Sequence, residues 1–453
     1  MALSRRRALV TLSGSALALS ACQSEGAGRR AAGPPTDDDP VPPILARRTD
    51  ALRTGEEAGW LADVDPGNAA LIGHERQVFA NLRQFDLDRP ALRAVPGTAP
   101  PARTIRYANS LPMRSWAHDV ELRLRLRDVD TAENAARYRY VFGLVDGVVK
   151  LVDVGPAAVD GAGVDTDYLL DYPWDLTALR VRRQGDVVVA ADAGVKDLDD
   201  WRDAAGRASR TVRRDWADNP APKALVVFLA SRPELFRGWF GPNPTWAEGA
   251  LRPVRRPGDG RPAPDDHFVG ARVVVNLAAD HLGTPYETMK HQLAQALSVA
   301  VVAPRPDRTG PVEAPRDGLG AANWAVQGFA RYVQTREAPA LRDRLRTTIR
   351  DGLNRNLFTG DLPDNAAFWA EPARAFNPAL GYSVFQYVAA RYGHAKALAL
   401  YVAVLRQPGP DGSTGGNADL FPALAAVGLL EKSSGDPRDS AFYQQWTRSL
   451  RQL

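Results

Sequence analysis

Cysteine is all but missing from this chain: Cys22 is the only one in 453 residues. No internal disulfide can form, so stability has to come from packing. Lysine is scarce too, six residues against 51 arginines, a compositional bias that carries no functional information. Beyond the N-terminus no stretch approaches the roughly 20 apolar residues of a membrane-spanning helix. Charge of one sign is not concentrated anywhere. The formal net charge of +4 comes from 57 basic and 53 acidic residues, and without the three arginines of residues 1–21 the balance is 54 to 53. A near-neutral chain without a basic block is not expected to bind nucleic acid. The sequence also lacks G-x-S-x-G, a glycine-rich phosphate loop and a second histidine paired at helical spacing, which argues against the common nucleophile and nucleotide sites.

What is present starts at the first residues. Arg5, Arg6 and Arg7 form a basic segment, Ala8 to Ala18 an apolar one too short to cross a bilayer, and Leu19-Ser20-Ala21-Cys22 follows. An aliphatic residue, two small residues and a cysteine form the pattern of a lipobox. Residues 1–21 therefore read as a lipoprotein signal peptide, with Cys22 the site of lipidation. The membrane is then a partner through that lipid, and the expected location is the outer face of the cytoplasmic membrane. Ser4 to Leu9 also resembles a twin-arginine export signal, with Ala8 where a bulky Phe usually stands. From Gln23 to Pro43 the chain is Gly, Ala, Pro, Arg and Asp with almost no large apolar residue, the composition of a disordered tether spanning 22–43.

The remainder reads as an α+β protein with two domains, 44–178 and 179–453. The first opens with helical patterns over Leu45–Ala62 and from about Asn68. Alternating strands follow at 103–108, 119–127, 138–145 and 148–154, the last two joined by Asp146-Gly147, a hairpin signal. Paired helices followed by an antiparallel sheet resemble a nuclear transport factor 2-like cone, a fold that mostly binds or spaces. His74-Glu75 has Val78 where a metal-binding helix would place a second histidine, and reads as an ordinary helix-surface pair. The second domain carries strands at 187–191, 224–230 and 272–276, an arginine-rich helix over 197–215, and an almost wholly helical region from Thr284 onward.

The helix from Thr284 starts with an N-cap, Pro285 and Glu287 as a capping box, and carries His291-Gln292-Leu293-Ala294-Gln295. Taken alone, that stretch reads as the polar side of an amphipathic helix. About thirty residues on comes Trp324-x-x-Gln327-Gly328-Phe329-Ala330-x-Tyr332. Strand, helix and second motif in this order resemble the gluzincin metallopeptidases of the peptidase MA clan, most closely membrane-attached actinobacterial members, over roughly 181–450. The resemblance implies a small sheet followed by a helical half. It also implies a zinc site built from HExxH and W-x-x-E-G, in which two histidines one turn apart and a later glutamate hold the metal.

The frame is kept but its donors are replaced. His291 stands at the first ligand position, Gln292 at the general base, Gln295 at the second histidine and Gln327 at the third ligand, while Tyr382 matches a downstream oxyanion-stabilising tyrosine. Amides carry no charge, are poor zinc ligands and cannot take a proton from water. The expectation is a catalytically dead metallopeptidase-like module with no metal or cofactor. It would bind an extended peptide or envelope protein along an edge strand, taken to be Arg272–Asn276. The alternative is an active hydrolase with a shifted metal site drawn from His267, His281, Asp265, Asp266 and Asp280; a pure spacer is a third reading.

Overall fold

The computed structural model describes residues 40–95, 103–106, 112–156, 172–240, 244–254, 268–280, 282–302, 321–407, 417–430 and 436–452. The signal segment, Cys22 and the tether up to residue 39 lie outside the described residues, as do His267, His281, Asp265 and Asp266. The protein is α+β.

Helix α1 covers Val41–Thr54, α2 Glu57–Leu61 and α3 Ala69–Leu82. The helical pattern expected over 45–62 is thus two helices. Gly55 takes φ +85° and closes α1 with its N–H on the Ala51 carbonyl, a glycine C-cap that no continuing helix could accommodate. The fold also starts earlier than expected: Val41 is already helical and buried. Asn68 caps α3 by accepting from the Leu71 N–H at 3.1 Å.

Five strands follow: β1 Leu87–Ala94, β2 Arg103–Arg106, β3 Pro112–Leu126, β4 Asn134–Val145 and β5 Val148–Pro156. They form an antiparallel sheet in the order β1-β3-β4-β5, with β2 also on β3. Asp146 and Gly147 both have positive φ, which is what a two-residue hairpin turn needs. On one face Val120, Leu122, Leu124 and Leu126 are buried. Charges on the other face pair across strands, Asp119 with Arg139 and Glu121 with Arg137, each directly opposite its partner. Strand β1 escaped the sequence reading because Pro90 interrupts it; the ladder shifts register between Asp88 and Ala91.

A one-turn helix α4, Pro173–Leu176, leads to a second sheet. Its strands are β6 Leu179–Gln184, β7 Val187–Asp192, β8 Leu225–Ala230, β9 Gly249–Val254 and β10 Gly270–Asn276, in the order β6-β7-β8-β10-β9. Helix α5, Leu198–Trp216, links β7 to its parallel neighbour β8, and α6 is Pro233–Gly238. The strand expected at an edge, Arg272–Asn276, lies inside the sheet, between β8 (parallel) and β9 (antiparallel). The end strand on that side of the sheet is β9. This correction has a physical cause visible in the residues: β7, β8 and β10 are buried at every position, as strands covered on both faces must be.

Both faces are covered because each belongs to a different core. Val188, Ala190, Val226, Phe228 and Val274 pack with α1, α3 and the first sheet. Val187, Val189, Val227, Leu229, Val273 and Val275 pack with the helical half. Arg272 adds a buried bidentate pair with Asp130, at 2.8 and 2.7 Å, from β10 to the turn between β3 and β4.

The helical half consists of α7 Pro285–Leu297, α8 Asn323–Thr335, α9 Pro339–Asn354, α10 Phe376–Tyr392, α11 His394–Leu405, α12 Asn417–Ala426 and α13 Ala441–Leu450. Helices α8 and α10 touch backbone to backbone. A Cβ on Gly328 would overlap the Gly381 backbone, and one on Gly381 would overlap the Trp324 carbonyl. The glycine of the second motif is therefore a packing requirement. No described helix is long and apolar enough to cross a membrane.

Candidate functional site

Helix α7 is placed by its start and by its burial. Thr284 Oγ1 accepts from the Glu287 N–H at 3.3 Å, and Glu287 Oε2 accepts from the Thr284 N–H at 2.9 Å, with Pro285 in the first turn. From there every residue between Thr288 and Leu297 is buried. The polar side of the helix, which the sequence alone allowed to face solvent, is covered by α8 and the sheet.

His291 and Gln295, one turn apart, meet Gln327 of α8. Gln295 Nε2 lies 2.7 Å from His291 Nε2. The Gln295 and Gln327 amides bond each other in both directions, at 3.4 and 3.2 Å. With the Gln295 amide donating to Nε2, the ring proton sits on Nδ1, and Nδ1 is buried with no partner in hydrogen-bond geometry. Burial, and after it the Arg331 charge, hold the imidazole well below its ordinary pKa, against a smaller opposing pull from the Ala330 backbone and the Gln327 side chain. His291 is neutral here.

The other two expected site residues do not join this cluster. Gln292 turns to the first residue of β9, where a Cβ on Gly249 would overlap its amide. Tyr382, expected to stabilise an oxyanion, instead bonds Gln386 on its own helix at 3.4 Å and faces Thr335 at the far end of α8. One residue missed in the sequence is Arg331. It lies one turn beyond Gln327, and its guanidinium bonds Glu248, just before β9, at 2.8 Å and Gln334 at 2.9 Å. Its i+4 spacing from Gln327 was the available signal.

The donor set does not fit zinc. One imidazole whose Nε2 is already engaged by an amide, two neutral amides and a nearby guanidinium supply neither ligand charge nor a base for water. Among the described residues, no three His, Cys, Asp or Glu side chains are grouped so as to hold a metal ion. Of the alternative ligands within the described residues, Asp280 is exposed.

The other unforeseen feature is in the first half. His74-Glu75 is not a surface pair. Glu75 is buried, ion-paired with the fully buried Arg48 of α1 and near His74 Nδ1 at 3.3 Å. Arg48 also donates to the Trp60 carbonyl at 2.8 Å and stacks on the Trp60 ring. Helical spacing put Glu75 beside apolar neighbours, but only the approach of α1 supplies the cation that makes its burial tolerable. No protein-family model matches the chain, and no curated protein matches it in sequence.

Proposed function

We propose that this chain is an exported lipoprotein, anchored through Cys22 to the outer face of the cytoplasmic membrane. Its second half keeps a gluzincin-like arrangement without the chemistry and works by binding an extended segment of a peptide or envelope protein. The first half, read as a nuclear transport factor 2-like module, backs the second sheet. The observation that carries the reading is the closed network of His291, Gln295 and Gln327. Three side chains at the positions of a metal site converge and hold one another with amide hydrogen bonds, and none of them supplies the negative charge or the base that a hydrolytic water needs.

The binding surface in this reading is β9. The Asn276 N–H donates to the Glu248 carbonyl at 2.9 Å, which sets the phase of the ladder. Residues 250, 252 and 254 then turn their backbone groups to β10, and Gly249, Leu251 and Pro253 turn theirs outward. Pro253, which has no N–H, thus sits on the side away from β10, where an end strand tolerates proline. An extended ligand would pair with the outward groups of Gly249 and Leu251.

Metal analysis of the purified protein tests the central claim. The expected result is no stoichiometric zinc and no peptide hydrolysis. The combined Gln292→Glu, Gln295→His and Gln327→Glu variant should gain a zinc site from the inherited geometry. Stoichiometric zinc in the unmodified protein would end the reading of a non-catalytic module. The anchor is tested separately: Cys22→Ser should free the protein from membranes, and fatty-acid labelling that persists in this variant would refute lipidation.

A further inference from the structure

Between the first sheet and its helices lies a cavity of about 10 Å³, walled by Trp60, His74, Glu75, Tyr138, Tyr140 and Asp175 among others. That is room for roughly one water. Asp175 is the residue of α4 that reaches it. Its carboxylate accepts from the Tyr138 hydroxyl at 3.3 Å and from the Tyr172 N–H at 3.4 Å, both long for bonds to a charged acceptor. The Tyr138 hydroxyl is held from its other side by Trp174 Nε1–H at 2.9 Å.

The charges around Asp175 do not balance it. Helix α1 brings Arg48, which is committed to Glu75. Helix α3 brings Glu75 and the half-buried His74; β4 brings the uncharged Tyr138 and Tyr140; α2, β3 and β5 bring Trp60, Leu122 and Val154. Burial pushes the Asp175 carboxyl up to about 7, with the His74 charge opposing and the Glu75 charge adding. The bond to Glu75 raises His74 against its own burial.

We propose that α4 is a proton-operated latch: a proton on Asp175 seats this turn over the cavity, and loss of that proton lets the turn lift and admit water. In the seated state a neutral carboxyl shares a hydrogen with Tyr138 and brings no charge to solvate. In the ionised state a second carboxylate stands beside Glu75 with two long hydrogen bonds, and water is its only route to solvation. The backbone of the turn is tied to α3 by neutral bonds, Gln77 to the Asp175 carbonyl at 3.2 Å and Asn81 to the Trp174 and Thr177 carbonyls at 2.8 and 2.7 Å. These define the resting position and do not titrate. Since β6 begins only three residues after α4 ends, the latch acts where the chain passes from the first sheet to the second.

Hydrogen exchange on the full-length protein, corrected for intrinsic rates, tests this. Amides of 174–179 should be best protected at pH 5 and below. Between pH 5 and 7 their opening should rise, by up to about tenfold per unit for a one-proton linkage, relative to the amides of α8, and it should level off above about pH 7, where the seated carboxyl is ionised as well. Asp175→Asn should hold protection at pH 8 at its acid level. His74→Gln, a half-exposed site, keeps the test open should the first variant fail to fold: removing the opposing charge should move the transition to higher pH. Protection of 174–179 that tracks α8 from pH 5 to 7, an undiminished pH dependence in Asp175→Asn, or a transition unmoved in His74→Gln would overturn the latch.

Discussion

Around Glu75 the chain buries charge; around His291 it buries polar groups that carry none. The first centre joins Arg48, Glu75, His74 and Asp175, from helices α1, α3 and α4, against one sheet. The second joins His291, Gln295 and Gln327, from α7 and α8, beside another. Each joins side chains from neighbouring helices around a buried member, Glu75 in the first and His291 in the second. The difference lies in what holds them. A charged cluster depends on every partner, because a lone buried ion is far costlier than a buried pair. An amide cluster needs only matched donors and acceptors, and its members can be exchanged for apolar groups in concert.

Mutations should separate the two centres by size of effect. The largest expected effect is at Glu75. Glu75→Ala strands Arg48 at full burial and should cost about 3–5 kcal/mol, read from urea unfolding; a loss below about 1 kcal/mol would mean the guanidinium finds water or another acceptor. The amide centre should respond less. Gln295→Leu leaves the Gln327 amide without its reciprocal partner and should cost about 1–3 kcal/mol. The double variant Gln295→Leu with Gln327→Leu should recover part of that loss. A double variant as damaging as the sum of the singles would show that the network does more than satisfy itself.

The smallest effects, and the most discriminating, are in pH. His291 has a lowered pKa when folded, so its unfolded form takes up a proton that the folded form refuses. Its contribution is complete above about pH 6.5 and is lost as the pH falls below it. Asp175 and His74 have raised values, so the unfolded state releases their protons first. Their contribution is present in acid and lost as the pH rises toward and through neutrality, for Asp175 up to about 7. Glu75, pushed up by burial but drawn below its ordinary value by Arg48 and His74, keeps its contribution above about pH 4.5 and loses it in stronger acid. Exchange profiles should therefore show α7 and α8 loosening as the pH falls from 6.5 to 5 while 174–179 loosen as it rises from 5 to 7, each by at most about 1.4 kcal/mol per unit and proton. A common pH profile for both regions would erase the distinction drawn here.

Local signals carried well where the deciding interaction is local. Thr284, Pro285 and Glu287 start α7, Asn68 starts α3, and Asp146-Gly147 turns the hairpin, because caps and tight turns are settled within about four residues. The unbroken apolar runs of β7, β8 and β10 told of strands, and the spacing of His291 and Gln295 told that these two share a helix face. Strand β1 stayed hidden behind Pro90 and a bulge. The middle position of β10 stayed hidden because strand order is a matter of which edges pair, and no short segment records its neighbour.

The α+β class, the helix starts, the hairpin and the presence of amides at 292, 295 and 327 on two successive helices were all legible in the residues alone. Tertiary structure alone decided that α1 would bring Arg48 to Glu75, turning an apparent surface pair into a buried ion pair. It decided that Gln292 would face Gly249 rather than His291, and that Tyr382 would point along α10 toward Gln386. The physical reason is range. Helix periodicity fixes the direction of a side chain relative to its own axis, whereas burial, partner and charge state depend on what packs against that face from residues 27 or more positions away.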